Sequence, residues 1–139
     1  ASAPYIGWVL DDDFDEMLPT MKSDVTLTRG NTVLIIDAKY YTQSTQRQYD
    51  KRSIHSANLY QIFAYVKNKE AVLADSEHEV SGMLLYAKTD EEIQPNGVYQ
   101  MSGNKISVKT LDLDQPFDEI CAQLDAIAEN HFAKESTNV

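Results

Sequence analysis

Thr32-Val33-Leu34-Ile35-Ile36-Asp37-Ala38-Lys39-Tyr40-Tyr41 is a β-branched and aliphatic run that turns polar only near its end. Such a run reads as a strand. Its close sets a carboxylate at Asp37 and an ammonium at Lys39 two positions apart, so both side chains leave the same face of a sheet. Just upstream, Met21 to Thr28 alternates, with Val25 and Leu27 on one face and Asp24, Thr26 and Thr28 on the other. Arg29, Gly30 and Asn31 form a turn between the two strands, and the hairpin carries Asp24 back toward Asp37. Two carboxylates at one spot repel each other unless a cation sits between them. Mg²⁺ accepts one or two carboxylates and keeps its other positions for water and phosphate oxygen. Taken alone, Asp37 and Lys39 read as an ordinary strand-end ion pair, because a D-x-K triplet is common by chance; the hairpin, the preceding aspartate and the helix that follows raise the catalytic reading.

Working outward, Tyr5 to Leu10 reads as a further strand, so that the N-terminal half forms a three-stranded meander. Thr42 to Arg52 is polar, carries Gln43, Gln46 and Gln48, and reads as a loop. Ser53 is placed to cap a helix that runs to about Lys69, with Ile54, Leu59, Ile62, Phe63 and Val66 as its apolar face. Gln61 and Tyr65 lie one turn apart with Asn58 beside them, a polar strip directed away from Leu59, Phe63 and Val66. Val80 to Ala87 is apolar enough to be a strand buried on both faces. Ser102-Gly103-Asn104 joins Val98 to Met101 and Lys105 to Leu111 as a hairpin. A last helix begins near Pro116, its core stripe formed by Phe117, Ile120, Cys121, Leu124, Ile127 and Ala128. The whole reads as one α/β domain over residues 1–132, a mixed sheet flanked by helices, followed by a flexible tail over 133–139.

Composition narrows the functional classes. A hydrophobic fraction of 42% and a charged fraction of 24% are those of a soluble globular chain, with no apolar run long enough for a bilayer. The lone Cys121 excludes an intrachain disulfide and fits a reducing, cytoplasmic setting. A net charge of −10 opposes binding of a polyanion by bulk electrostatics. The exception is the segment holding Lys39, Arg47, Lys51 and Arg52 against Asp50 alone, where any such contact should concentrate. No Cys and His spacing suggests zinc. His55 stands at a helix start where it could touch phosphate, while His78 and His131 read as surface residues.

Asp24, Asp37-Ala38-Lys39 and the helix Asn58-Leu59-Tyr60-Gln61-Ile62-Phe63-Ala64-Tyr65 together resemble the PD-(D/E)xK nuclease superfamily in its Q-x-x-x-Y branch. Within it they are most similar to the C-terminal nuclease domains of the McrC family, from McrBC 5-methylcytosine-dependent restriction systems. The resemblance spans Met21 to about Tyr86 well and the rest more loosely. It implies a restriction-endonuclease-like core and a metal-dependent DNA endonuclease using Mg²⁺, for which Mn²⁺ can substitute. It makes Asp24, Asp37 and the Ala38 carbonyl metal ligands, and Lys39 the group that orients the attacking water and stabilises charge on the phosphate. Gln61 and Tyr65, with Asn58, would line the site, and Arg47, Lys51 and Arg52 would meet DNA. The implied partner is an McrB-type AAA+ GTPase ring, met through a domain not in this chain, which would then be a C-terminal fragment of a longer protein.

The sequence departs from the family pattern in three ways. Ser23 stands where the family name has proline. No helix precedes the strand at Tyr5, and none of Asp11, Asp12, Asp13 or Asp15 is singled out as a further carboxylate. Nothing corresponds to the family's N-terminal domain. Two other readings stay open: a RecB-like or other repair nuclease with the same motif set, and a non-catalytic module whose acidic surface binds a protein partner.

Overall fold

The computed structural model describes residues 5–12, 14, 16–41, 45–48 and 51–136, without the side chains of 45–53 and 134–136. Its centre is a five-stranded sheet in the order β3-β4-β7-β9-β8. β4 (Thr32–Lys39), β7 (Glu79–Ala87) and β9 (Asn104–Leu111) run parallel. β3 (Val25–Arg29) pairs antiparallel with β4 at one edge and β8 (Gly97–Met101) with β9 at the other. Parallel neighbours need a crossover, and α1 (Ser56–Val72) supplies the one from β4 to β7. The architecture is a mixed sheet flanked by helices, consistent with the restriction-endonuclease-like core expected from the sequence.

Alternation along the strands divides the core in two. Val33, Ile35, Val80, Leu84, Tyr86, Ile106 and Val108 pack under Ile62, Tyr65 and Val66 of α1. Leu34, Ile36, Met83, Leu85 and Leu111 face the opposite way, toward Ile120, Ile127 and Phe132 of α2 (Phe117–Ser136). The approach of α1 is close. A Cβ built on Gly82 would stand 2.8 Å from Ile62 Cγ1 and from Val66 Cγ2, so the helix rests where β7 has no side chain. The β8–β9 turn needs left-handed backbone at both Ser102 (φ 51°) and Gly103 (φ 86°), as the hairpin signal implied.

Several sequence expectations are corrected. The first strand is only β1 (Tyr5–Ile6), which pairs with β2 (Met21–Lys22) in a separate two-stranded sheet, so no three-stranded meander forms. The expected strand from Met21 to Thr28 is broken at Ser23 and Asp24, where buried Ser23 hydrogen-bonds Thr26 through their hydroxyls at 2.7 Å; such local bonds offer the backbone an alternative to the ladder. The polar stretch read as a loop contains a hairpin, β5 (Thr45–Gln48) with β6 (Lys51–Ile54). Because Ser53 belongs to β6, α1 begins two residues later with His55 as its N-cap, and no side-chain capping bond is made.

The helices also differ from their sequence stripes. Asn58 and Tyr65 of α1 are buried beside Ile62 and Val66 rather than opposite them, whereas Phe63 turns outward and carries Lys67 Nζ over its ring at 5.8 Å. In α2, Phe117 is 77% exposed and Leu124 is exposed too, so of the stripe expected to be core Ile120 and Ile127 pack, partly buried, against the sheet, joined by Phe132 from outside that stripe. His131, read as a surface residue, is buried. The helix continues to Ser136; residues 137–139 lie outside the described part, as do Asp13 and Asp15. Among the described residues no helix is long and apolar enough to cross a membrane.

Candidate active site at the end of the central strand

β4 is hydrogen-bonded on both sides, and its last residues emerge at the edge of the α1 layer. The pairing of Val25 with Ile36 sets Asp24, one residue before β3, beside Asp37. Asp24 is fixed there by the backbone: its Oδ2 accepts the Ala38 amide at 2.7 Å. Asp37 is buried, and its Oδ2 meets Lys39 Nζ at 2.7 Å. Lys39 Nζ also donates to Gln61 Oε1 at 2.6 Å, and Gln61 Nε2 donates to the Tyr65 hydroxyl at 2.9 Å. The five residues Asp24, Asp37, Lys39, Gln61 and Tyr65 therefore form one continuous polar chain. It runs from the strand end onto α1, and the outer Asp24 is its solvent-facing member.

Burial holds the Asp37 carboxyl above the ordinary carboxylate range; the neighbouring Asp24 pushes the same way, and Lys39 opposes both. A bound cation would relieve two of these strains, since it compensates the buried charge and the repulsion from Asp24. Among the described residues no three His, Cys, Asp or Glu converge, so these two carboxylates are the available acidic donors. A pair of hard oxygen ligands with open positions suits Mg²⁺ or Mn²⁺ and is a poor zinc site. The site thus fits the ion that its carboxylates imply.

A second chain of contacts lies on the other side of Asp37. Buried Asn58 donates through Nδ2 to the Tyr86 hydroxyl at 2.9 Å, and its Oδ1 accepts from the Tyr41 hydroxyl at 3.2 Å. Tyr41 also lies against the His55 ring, with centroids 5.0 Å apart. Tyr86 is fully buried, and its hydroxyl is held above its ordinary pKa mainly by that burial, with Tyr41 and Asp37 adding to it. Sequence reading placed Asn58 at the site but missed Tyr41 and Tyr86. The pairing of Lys39 with Tyr86 arises from the parallel register of β4 and β7, which no local pattern encodes. The one available signal was Asn58 itself, since a buried amide requires partners. Arg47 of β5 and Lys51 and Arg52 of β6 occupy the hairpin between β4 and α1, with Arg47 paired to Arg52 in the backbone register; their side chains are outside the described part.

Comparison with known proteins places the chain in a family. Residues 10–87 match the family described as McrBC 5-methylcytosine restriction system component. The chain belongs to that family. The matched segment contains β2 to β7 and hence every residue of the two polar chains. Over 114 residues this McrC-type domain is 29% identical to the type IV methyl-directed restriction enzyme EcoKMcrBC of Escherichia coli K12. That alignment covers 80% of the domain and 31% of the relative, so the chain spans about a third of the length of the curated protein it matches.

Proposed function

We propose that this McrC-type domain is the DNA-cleaving part of a modification-dependent restriction system, a Mg²⁺-dependent endodeoxyribonuclease of the PD-(D/E)xK type. The observation that carries the reading is the Lys39 ammonium, held at once by buried Asp37 and by Gln61, beside a second carboxylate at Asp24. Asp24 and Asp37 would hold the metal, with the Ala38 carbonyl as a further donor. When bound, Mg²⁺ supplies positive charge to the phosphate and makes water a better nucleophile.

The chain's own residues do the rest. Gln61, itself tied to Tyr65, gives the Lys39 ammonium a second anchor besides Asp37 and so fixes where its charge sits. There the ammonium orients the attacking water and stabilises the negative charge that builds on the phosphate as the water oxygen adds and the ester bond breaks. Arg47, Lys51 and Arg52 give the acidic chain a local cationic hairpin for the DNA backbone. A net charge of −10 makes tight DNA binding by the domain alone unfavourable, so delivery by an McrB-type GTPase ring in the cytoplasm completes the proposal.

The test is cleavage of supercoiled methylated plasmid by the full-length protein with its cognate GTPase, in Mg²⁺ or Mn²⁺, comparing wild type with Asp37→Ala and Lys39→Ala. Each variant is expected to lose at least about a hundredfold in rate, while EDTA abolishes cutting. Undiminished cleavage by both variants would sink the assignment. Cutting from DNA ends alone, with circles untouched, would reassign the domain to an exonuclease of RecB-like type.

A further inference from the structure

The sheet face opposite the candidate active site carries a polar cleft of its own. Between β9, β8 and the C-terminal half of α2 lies a cavity of about 360 Å³. Its floor contains Lys105, Ser107 and Lys109, alternate residues of β9 that share one face. Asn130 and His131 of α2 close it from above, and Met83, Val98 and Ile127 form an apolar wall. Among the described residues no carboxylate lines it.

Three features of this cleft are unexpected for an apolar sheet-to-helix interface. First, neither Lys105 nor Lys109 makes an ion pair among the described residues, although the chain has 22 acidic residues against 12 basic ones. Second, polar side chains are buried here: Ser107 is 1% exposed and His131 4%. Third, Ser81 is fully buried on the same face, one step before the Gly82–Ile106 pair and hence beside Lys105, and its hydroxyl has no hydrogen-bond partner among the described residues. Burying a polar group without a partner is unfavourable, and a native interior normally satisfies it. Half-buried cations, buried hydroxyls and an imidazole around one hollow together make a donor-rich site that lacks an acceptor.

We propose that this cleft is an anion site that takes a phosphate group. Lys105 and Lys109 lie four residues apart, about 13 Å along the strand, and their long side chains converge over Ser107, which donates between them. His131 and Asn130 offer further donors from α2. The apolar wall gives a phosphate-bearing molecule a place for a sugar or base. The same chemistry is presented by a mononucleotide and by a nucleic-acid strand, and the two are separated by experiment. Because the sheet stands between this cleft and Asp37, the proposal holds or falls independently of the nuclease reading.

The experiment is an amide-resonance titration of the full chain in EDTA, using inorganic phosphate, a nucleoside triphosphate and a short single-stranded oligonucleotide as separate probes. Saturable shifts are expected at residues 105–109 and 127–131, with Asp24 and Asp37 to Lys39 unmoved. The Lys105→Gln/Lys109→Gln variant should raise the dissociation constant at least about tenfold, and Ser107→Ala, which leaves both charges, should raise it less. Tightest binding of the triphosphate identifies a nucleotide as the source, and tightest binding of the oligonucleotide identifies a strand. The proposal is overturned if no probe gives saturable shifts in this region, or if the double-lysine variant and each single Lys→Gln variant bind as wild type does.

Discussion

At the scale of single residues, Asp37 is the most constrained group in the molecule. Its carboxyl titrates above the ordinary range because of burial, so the folded state holds the Asp37 proton more tightly than the unfolded chain does. The resulting stabilisation is present below the unfolded-state pKa and is lost as pH rises through the raised folded value. Raising the pH of the metal-free wild type therefore weakens this contribution. Asp37→Asn removes the buried charge and is expected, in EDTA at pH 7, to melt at or above the wild-type temperature, an advantage that disappears as pH falls to about 4. Thermal melts across that range check it; a variant that is less stable at pH 7 than at pH 4, relative to wild type, contradicts the sign. Gln61 has the opposite character, since its role is positional. Gln61→Ala should lower the cleavage rate by about 10- to 100-fold with little change in DNA affinity. Gln61→Glu, which keeps an oxygen for Lys39, should recover part of the loss.

At the scale of elements, the contact between α1 and β7 depends on the missing side chain at Gly82. The atoms a Cβ would strike, Ile62 Cγ1 and Val66 Cγ2, lie close to the helix backbone and cannot swing away. Gly82→Ala should therefore cost about 1–3 kcal/mol of stability by overpacking. Urea unfolding measures this; an unchanged midpoint would show that α1 can shift at no cost. The elements also explain what was legible in the sequence. β4 and β7 were readable from their apolar runs, the β8–β9 hairpin from its turn residues and α1 in its extent though not its buried face, and the pair Asp37 and Lys39 followed from alternation alone. Asp24 was placed correctly because the Arg29–Asn31 turn fixes its register. The β5–β6 hairpin was hidden because its sequence is polar on both faces, so no alternation announces it. The buried side of α1 was misassigned because Asn58 and Tyr65 are polar residues whose burial is matched by partners, the buried Tyr86 and the partly buried Gln61, that come from tertiary register and from the site itself.

At the scale of the whole molecule, the proposed Mg²⁺ site at Asp24 and Asp37 predicts that folding stability responds to divalent cations. With Mg²⁺ at ten times its dissociation constant, the unfolding free energy should rise by about 1.4 kcal/mol, a shift of about 4 °C in melting temperature for a domain of this size. The rise should vanish in Asp24→Asn/Asp37→Asn and persist in Lys39→Ala. A rise of equal size in the double variant would mean that the ion acts on the diffuse surface charge instead.

β4 is held by β3 as far as Ile36 and by β7 along its whole length, and Asp37 and Lys39 of the candidate centre are among its last residues. Opening the backbone around Asp37 means parting the end of β4 from β7 and freeing the Ala38 amide from Asp24, so these amide protons should exchange more slowly than those of the edge strands. A reaction centre anchored in that way offers no local hinge for switching it off. Restraint of the proposed cutting activity would then have to come from when and where DNA is admitted, which makes timing, rather than distortion of the machinery, the point at which such a cutter is governed.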